Sequence, residues 1–466
     1  MTFDMLPDDV LLAIFDFNVG EEDLDASFDT YRKQIVAWIR LAHVCRRWRS
    51  VVFQSPIRLN LRLFCTNNTP ARETLDIWPS LPLIVFDILG SEPTDVDNII
   101  AALEHNDRVC QIRLHSIRGY SSEFDLVTNS VAMQKPFPEL SDLRLSKEIE
   151  DGQILPDSLL GGTAPHMRSL YLSYISFLGM PKLLLSATNL VDLDIRNIPR
   201  LGYIPPEAMA TGLCALTSLE NLHLHFVHPT SRPAIESRRP PPPPQTRSIL
   251  PSLTEIRYQG TSEYLEVILA RIDTPRLDYL YITFFNQIMF DTPQLFQFIS
   301  RRPTLRAPEK GYIVFKRMAV NVRFPSISDY GVLEVEIRCT VSEWQLSSIE
   351  QVCTSSLPPA STLKSLYIRS LALRWQDSVE DTLWLELLRP FSSVKNLYVC
   401  KEFVPRIAPA LQELVGGRTT EVLPTLENIF LEGFQPSGPL LEGIEKFVAA
   451  RRLTSHPVAV SRWERF

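Results

Sequence analysis

A six-residue template, apolar-x-x-apolar-x-apolar, recurs through most of this chain and limits its fold more than any other feature. It is carried by Val109/Ile112/Leu114, Leu140/Leu143/Leu145, Met167/Leu170/Leu172, Leu190/Leu193/Ile195, Leu219/Leu222/Leu224, Leu253/Ile256/Tyr258 and Leu277/Leu280/Ile282. It returns at Val332/Val335/Ile337, Leu363/Leu366/Ile368, Val394/Leu397/Val399 and Leu426/Ile429/Leu431. Most starts lie 23 to 34 residues apart; the 55-residue gap from 277 to 332 holds one degenerate unit around Tyr312-Ile313-Val314-Phe315. A near-fixed period in this range is the mark of a solenoid. Positions four and six share a parity, so each unit is a short strand with one buried face.

Pro138, Pro165, Pro251, Pro275 and Pro424 precede these strands, where a missing amide costs no ladder bond. Helical spacing between strands, as in Val96/Ile99/Ile100/Leu103 and Leu440/Leu441/Ile444/Phe447/Val448, predicts one helix per repeat and a parallel sheet. Ile57, Leu59, Leu61 and Leu63 alternate with polar residues and predict a first strand. A second is expected over residues 83–88 and a last one over 456–460. Residues 57–466 therefore form one continuous domain, with a Pro-rich loop over about 229–250.

Ahead of the array, Leu6-Pro7-Asp8-Asp9-Val10 opens a short helix: proline and acidic residues suit a helix N-terminus. Val10, Ile14 and Phe15 fall on one face at i, i+4 and i+5. Leu41, Val44, Cys45 and Trp48 make a second stripe at i, i+3, i+4 and i+7. Segments this short cannot bury so many large apolar groups, and an uncovered apolar patch marks a docking site. Packing of a helical cap onto the rest of the chain is the plainer alternative.

Leu6-Pro7, Ile14-Phe15 and Val44-Cys45-Arg46-Arg47-Trp48 resemble an F-box. The resemblance covers about residues 1–56 and implies a three-helix module that docks on a Skp-type adaptor and through it on cullin and RING subunits of a ubiquitin ligase. Leu6, Pro7, Val10, Ile14, Phe15, Leu41, Val44, Cys45 and Trp48 are then the adaptor-binding residues. An acidic and polar stretch at 20–29 widens the gap between the first two helices, a change that loop-closure entropy tolerates. The repeats resemble irregular leucine-rich repeats of the kind that follow F-boxes in fungal proteins. That family expects Asn or Cys three places after the last Leu. Here Ile117, Ile175, Ile198, Val227, Phe285, Leu371 and Phe434 stand there, so apolar packing must hold those turns. The fold class is α/β: a small helical F-box, then a leucine-rich-repeat solenoid with a curved parallel sheet.

Position five of each strand faces away from the core and reads Arg113, Arg144, Tyr171, Asp194, His223, Arg257, Tyr281, Glu336, Tyr367, Tyr398 and Phe430. Tyr and Arg are enriched at interface hot spots, which makes Tyr171, Tyr281, Tyr367, Tyr398 and Phe430 the substrate-binding candidates. A solvated sheet face carries Tyr through β-propensity alone, so that alternative stays open. Arg238, Pro241 and Pro244 fit a basic-x-x-P-x-x-P ligand, but five consecutive prolines in a long repeat read first as a loop insertion.

A net charge of −7 lacks the footprint of a nucleic-acid binder. Seven scattered cysteines with no C-x-x-C fit neither a disulfide framework nor a zinc ribbon. No leader pattern opens the chain, and the longest apolar run, residues 81–89, is too short to span a bilayer. A cytoplasmic or nuclear location, with no membrane partner, is the expectation. His223, His225 and His228 are the only histidine cluster and lack a Cys or carboxylate at ligand spacing, so no metal and no cofactor are expected. No phosphate loop, dinucleotide fingerprint, nucleophile elbow or H-E-x-x-H is present. Three readings follow: a substrate-recognition subunit of an SCF-type ligase, an F-box scaffold that delivers nothing, and an enzyme with a dispersed site, which the missing motifs disfavour.

Overall fold

The computed structural model describes residues 6–19, 37–54, 59, 61–89, 96–117, 121–150, 152–227, 247–285, 290–306, 308–325, 331–339, 341–371, 380–415, 418, 420–433 and 439–464. The stretch at 20–29, most of the Pro-rich segment (228–246), Ile57 and Phe434 lie outside them. The chain divides into two compact units, Met1–Ile204 and Pro205–Phe466.

The first unit opens with helices α1 (Asp8–Val19), α2 (Ala37–Ala42) and α3 (Arg46–Gln54). Strands β1 (Leu63–Cys65), β2 (Leu83–Leu89), β3 (Val109–Ser116), β4 (Asp142–Lys147), β5 (Ser169–Ser173) and β6 (Asp192–Ile198) follow and pair in that order, all parallel. Of the described residues of the alternating 57–63 run, Leu63 belongs to a strand, and Leu59 and Leu61 are buried ahead of it. Neighbouring strands are tied where each begins: Ser141 N–H donates to Cys110 O, Arg168 to Ser141 O and Val191 to Arg168 O, each at 2.8 Å. Helices Val96–Leu103 and Met180–Ser186 send Ile99, Leu103, Leu183 and Leu184 onto the sheet.

The second unit holds β7 (Asn221–Phe226), β8 (Ser248–Ile249), β9 (Glu255–Gly260), β10 (Ile272–Asp273), β11 (Tyr279–Phe284), β12 (Lys310–Lys316), β13 (Ala319–Pro325), β14 (Val332–Arg338), β15 (Ser365–Ser370), β16 (Asn396–Val399), β17 (Asn428–Glu432) and β18 (Ala459–Trp463). Its main sheet runs β7-β9-β11-β14-β13-β12-β15-β16-β17-β18; β8 and β10 form a separate short pair. Each of the eleven template instances carries a strand, and its first, fourth and sixth residues are buried. At about 1.5–3 kcal/mol per large aliphatic side chain, this repeated burial is the main force holding the sheet to its helices. Trp384, Phe315 and Phe403 form a ring cluster in this core, 5.0–5.8 Å between centroids.

The gap from 277 to 332 departs from an all-parallel sheet. Lys310–Lys316 and Ala319–Pro325 form an antiparallel hairpin, and β13 is antiparallel to β14 as well. β14, last of the three in sequence, pairs with β11, and β12 pairs with β15. The register sets Leu333 beside Leu280 and Glu334 beside Tyr281. Glu334, not Glu336, therefore holds position five in this strand. The turns without an Asn ladder are packed where Ile175, Ile198 and Phe285 are buried, but Leu371 is 67% exposed.

Candidate docking surfaces

The N-terminal helices divide their apolar residues between an inner and an outer face. Leu11, Leu12 and Phe15 of α1 are buried, and Phe15 meets the Trp48 ring at 4.8 Å. Val51 and Val52 of α3 are buried too. Outside, Val10, Ala13 and Phe17 follow one another at i, i+3 and i+7 of α1, all exposed, and Phe17 is 89% exposed. Pro7 and Val44 are also exposed, whereas Leu6, Ile14, Leu41, Cys45 and Trp48 are half-buried.

Of the residues picked from sequence, Pro7, Val10 and Val44 thus stand outermost, and Phe15 lies in the interior of the module. The Leu41-to-Trp48 stripe is not one helix. α2 ends at Ala42, and Cys45 precedes α3, where its Sγ accepts the Trp48 N–H at 3.4 Å as an N-terminal cap. Arg47 ties the module together by donating to Leu6 O and pairing with Asp8 at 2.7 Å. Phe17 was missed because Phe15, two residues earlier, matches the family pattern.

Residues 3–61 match the F-box-like family. No curated protein matches the chain. F-box domains generally bind Skp-type adaptors, and an F-box-like domain suggests a ubiquitin-ligase adaptor role in general. The outward stripe of the F-box-like domain is apolar area open to burial. No described helix is long and apolar enough to cross a membrane.

The solvent side of the sheet carries the second set of candidates, all half-buried. In the first unit Tyr171 sits between Arg144 and Asp194, and Arg196 lies over its ring at 5.6 Å. Charges here close on themselves: Arg113 pairs with Asp142 at 3.2 Å and Arg196 with Asp194 at 2.7 Å. In the second unit Tyr281 lies under Arg257 at 5.0 Å, and Arg257 pairs with Glu255. Burial raises the Tyr281 phenol above its ordinary range. His223 Nε2 faces Glu255 at 3.4 Å.

Tyr367, Tyr398 and Phe430 are different. The parallel register of β15, β16 and β17 places them side by side, and β12 adds Tyr312. Their rings stack at 4.7, 4.1 and 4.4 Å with interplanar angles of 16°, 9° and 8°. Trp463 of β18 stands edge-on to Tyr398 at 5.6 Å, its Nε1–H donating to Val399 O at 3.3 Å. Burial, then the neighbouring Tyr398, pushes the Tyr367 phenol up to about 12, so it stays neutral. Tyr312 was not singled out because its strand sits in the degenerate unit.

Among the described residues, Cys400, Glu402 and Glu432 form the one grouping with metal-ligand potential, their ligand atoms within 4.8 Å of one another. Burial and the Glu402 carboxylate push the Cys400 thiol up to about 12.

Proposed function

We propose that this protein is a substrate-recognition subunit of an SCF-type cullin–RING ubiquitin ligase. The F-box-like domain holds a Skp-type adaptor through Pro7, Val10, Phe17 and Val44. The leucine-rich-repeat-like remainder holds a protein target, and ubiquitin chemistry takes place on other subunits. The receptor contributes proximity, raising the local concentration of target lysines. The exposed Val10/Ala13/Phe17 stripe beside a fully formed internal core at Phe15 is the observation that carries this reading.

Affinity purification with mass spectrometry tests it. The expected result is the Skp-type adaptor, cullin and RING subunits, with at least one short-lived protein whose half-life lengthens when this chain is deleted. Adaptor recovery with no stabilised protein would assign the chain to a scaffold role. Absence of the adaptor would remove the proposal.

A further inference from the structure

On strands β9, β12, β13 and β14, charge is neutralised within the sheet. Arg257 pairs with Glu255, Arg323 with Glu334 at 3.8 Å, and Lys316 with Glu336. Arg369, two residues beyond Tyr367 on β15, has no such partner among the described residues. Among the described residues its contacts are the ring faces of Tyr312, Tyr367 and Trp463, at 5.2, 5.5 and 5.6 Å. Its Nε–H is buried with no acceptor. A guanidinium fixed on aromatic faces and lacking a carboxylate is prepared for a fork-shaped anion contact.

We propose that this surface binds an extended acidic peptide, with a Glu or Asp side chain on Arg369 and its apolar neighbours along the stacked rings. The inference rests on the receptor reading above and names the target class of that same sheet. The ring spacings of 4.7, 4.1 and 4.4 Å give a ladder of roughly 13 Å, the length of about four extended residues. Trp463 walls one side. The other is lined by an amide row, in which Asn428 Nδ2 donates to Asn396 Oδ1 at 2.9 Å and Asn396 Nδ2 to Ser365 Oγ at 3.2 Å. That row holds one proton of each amide and leaves the second for a passing main chain. At the ends of β16 and β17, Glu432 accepts the Lys401 N–H at 3.3 Å, and Glu402 stands with it beside Cys400. Among the described residues of the four ladder strands, the Arg369 guanidinium stands against rings and no carboxylate, and the complementary charge belongs to the partner.

The test uses the immobilised full chain and degenerate ten-residue peptide libraries whose central residue is fixed as Glu, Gln, Lys or phosphoserine. The Glu library is expected to be retained at least fivefold over the Gln and Lys libraries. Arg369→Gln should erase that preference, and Tyr398→Ala should lower retention of the Glu library about fivefold. Arg369→Glu should move the preference to the Lys library, a gain that only a folded site can show. Equal retention of Glu and Gln libraries, or a Glu preference that survives Arg369→Gln, would overturn the inference. So would retention of phosphoserine above Glu, which would make the ligand a phosphate. The adaptor takes no part in this binding. Retention of the Glu library by a chain that binds no adaptor would remove the ligase reading and keep the peptide site; adaptor binding without a Glu preference would do the reverse.

Discussion

The F-box-like domain and the aromatic ladder both expose apolar side chains, but in opposite ways. On α1 the outer residues are separate and aliphatic apart from Phe17, and the polar groups nearby, Arg47 and Asp8, are spent on holding the helices together. Such a face offers area to bury and little direction. On β12, β15, β16 and β17 the rings already stack on one another, so part of their area is satisfied internally. What remains unsatisfied is a charge, on Arg369. The first surface suits one constant partner held by hydrophobic burial, and the second suits a partner chosen by its chemistry.

The largest effect that sharpens this contrast comes from the inner face of the first region. Phe15→Ala should cost about 3–5 kcal/mol and unfold the helical module, seen as loss of adaptor binding together with loss of protection of α1 and α3 in hydrogen exchange. Val10→Glu with Phe17→Glu should weaken adaptor binding about 100-fold, or ~3 kcal/mol, with the melting temperature unchanged. If Val10 and Phe17 prove neutral, the outer stripe is not the docking face.

Tyr367→Ala with Tyr398→Ala should weaken target capture by about 2 kcal/mol and leave adaptor binding as it was. Loss of both together would show that the two regions are not independent. The pH dependence separates them further. Target capture through Arg369 should fade as pH drops through the carboxylate range, because the partner's acid loses its charge. The fold moves the other way. Burial pushes Asp87 up to about 6 and Glu266 up to about 7. Both bind protons more tightly when folded, so their contribution is full below about pH 4 and is lost as pH rises through 6 and 7. Asp87→Asn should accordingly raise the melting temperature at pH 8 and change little at pH 4, measured by calorimetry. The smallest effect is expected at Arg257, which is already paired with Glu255: Arg257→Gln should change target capture by no more than ~0.5 kcal/mol.

Much of this was legible in the sequence because a repeating apolar template reports burial directly. It located Leu143, Leu170, Leu366 and Leu397, and with them the side-by-side placement of Tyr367, Tyr398 and Phe430. It did not show strand direction. A run that alternates inside and outside reads alike in either sense, so the β12–β13 hairpin reads as one degenerate unit; Glu336 stands in for Glu334 because Leu333, Val335 and Ile337 are all buried and allow two registers of the template. The helical stripe from Leu41 to Trp48 misled for a related reason: i, i+3 and i+4 spacing persists across a turn at His43–Val44 that breaks the helix. Arg369 and Trp463 gave no signal because their roles depend on strands distant in sequence. Phe17 could have been found from its i+7 relation to Val10.

The most direct test of the account is titration of the purified full chain with a purified Skp-type adaptor, run beside the Val10→Glu, Phe17→Glu double variant. The account predicts a one-to-one complex for the unaltered chain and about 100-fold weaker binding for the variant, with both melting at the same temperature. No complex with the unaltered chain, or equal binding by the variant, would contradict it.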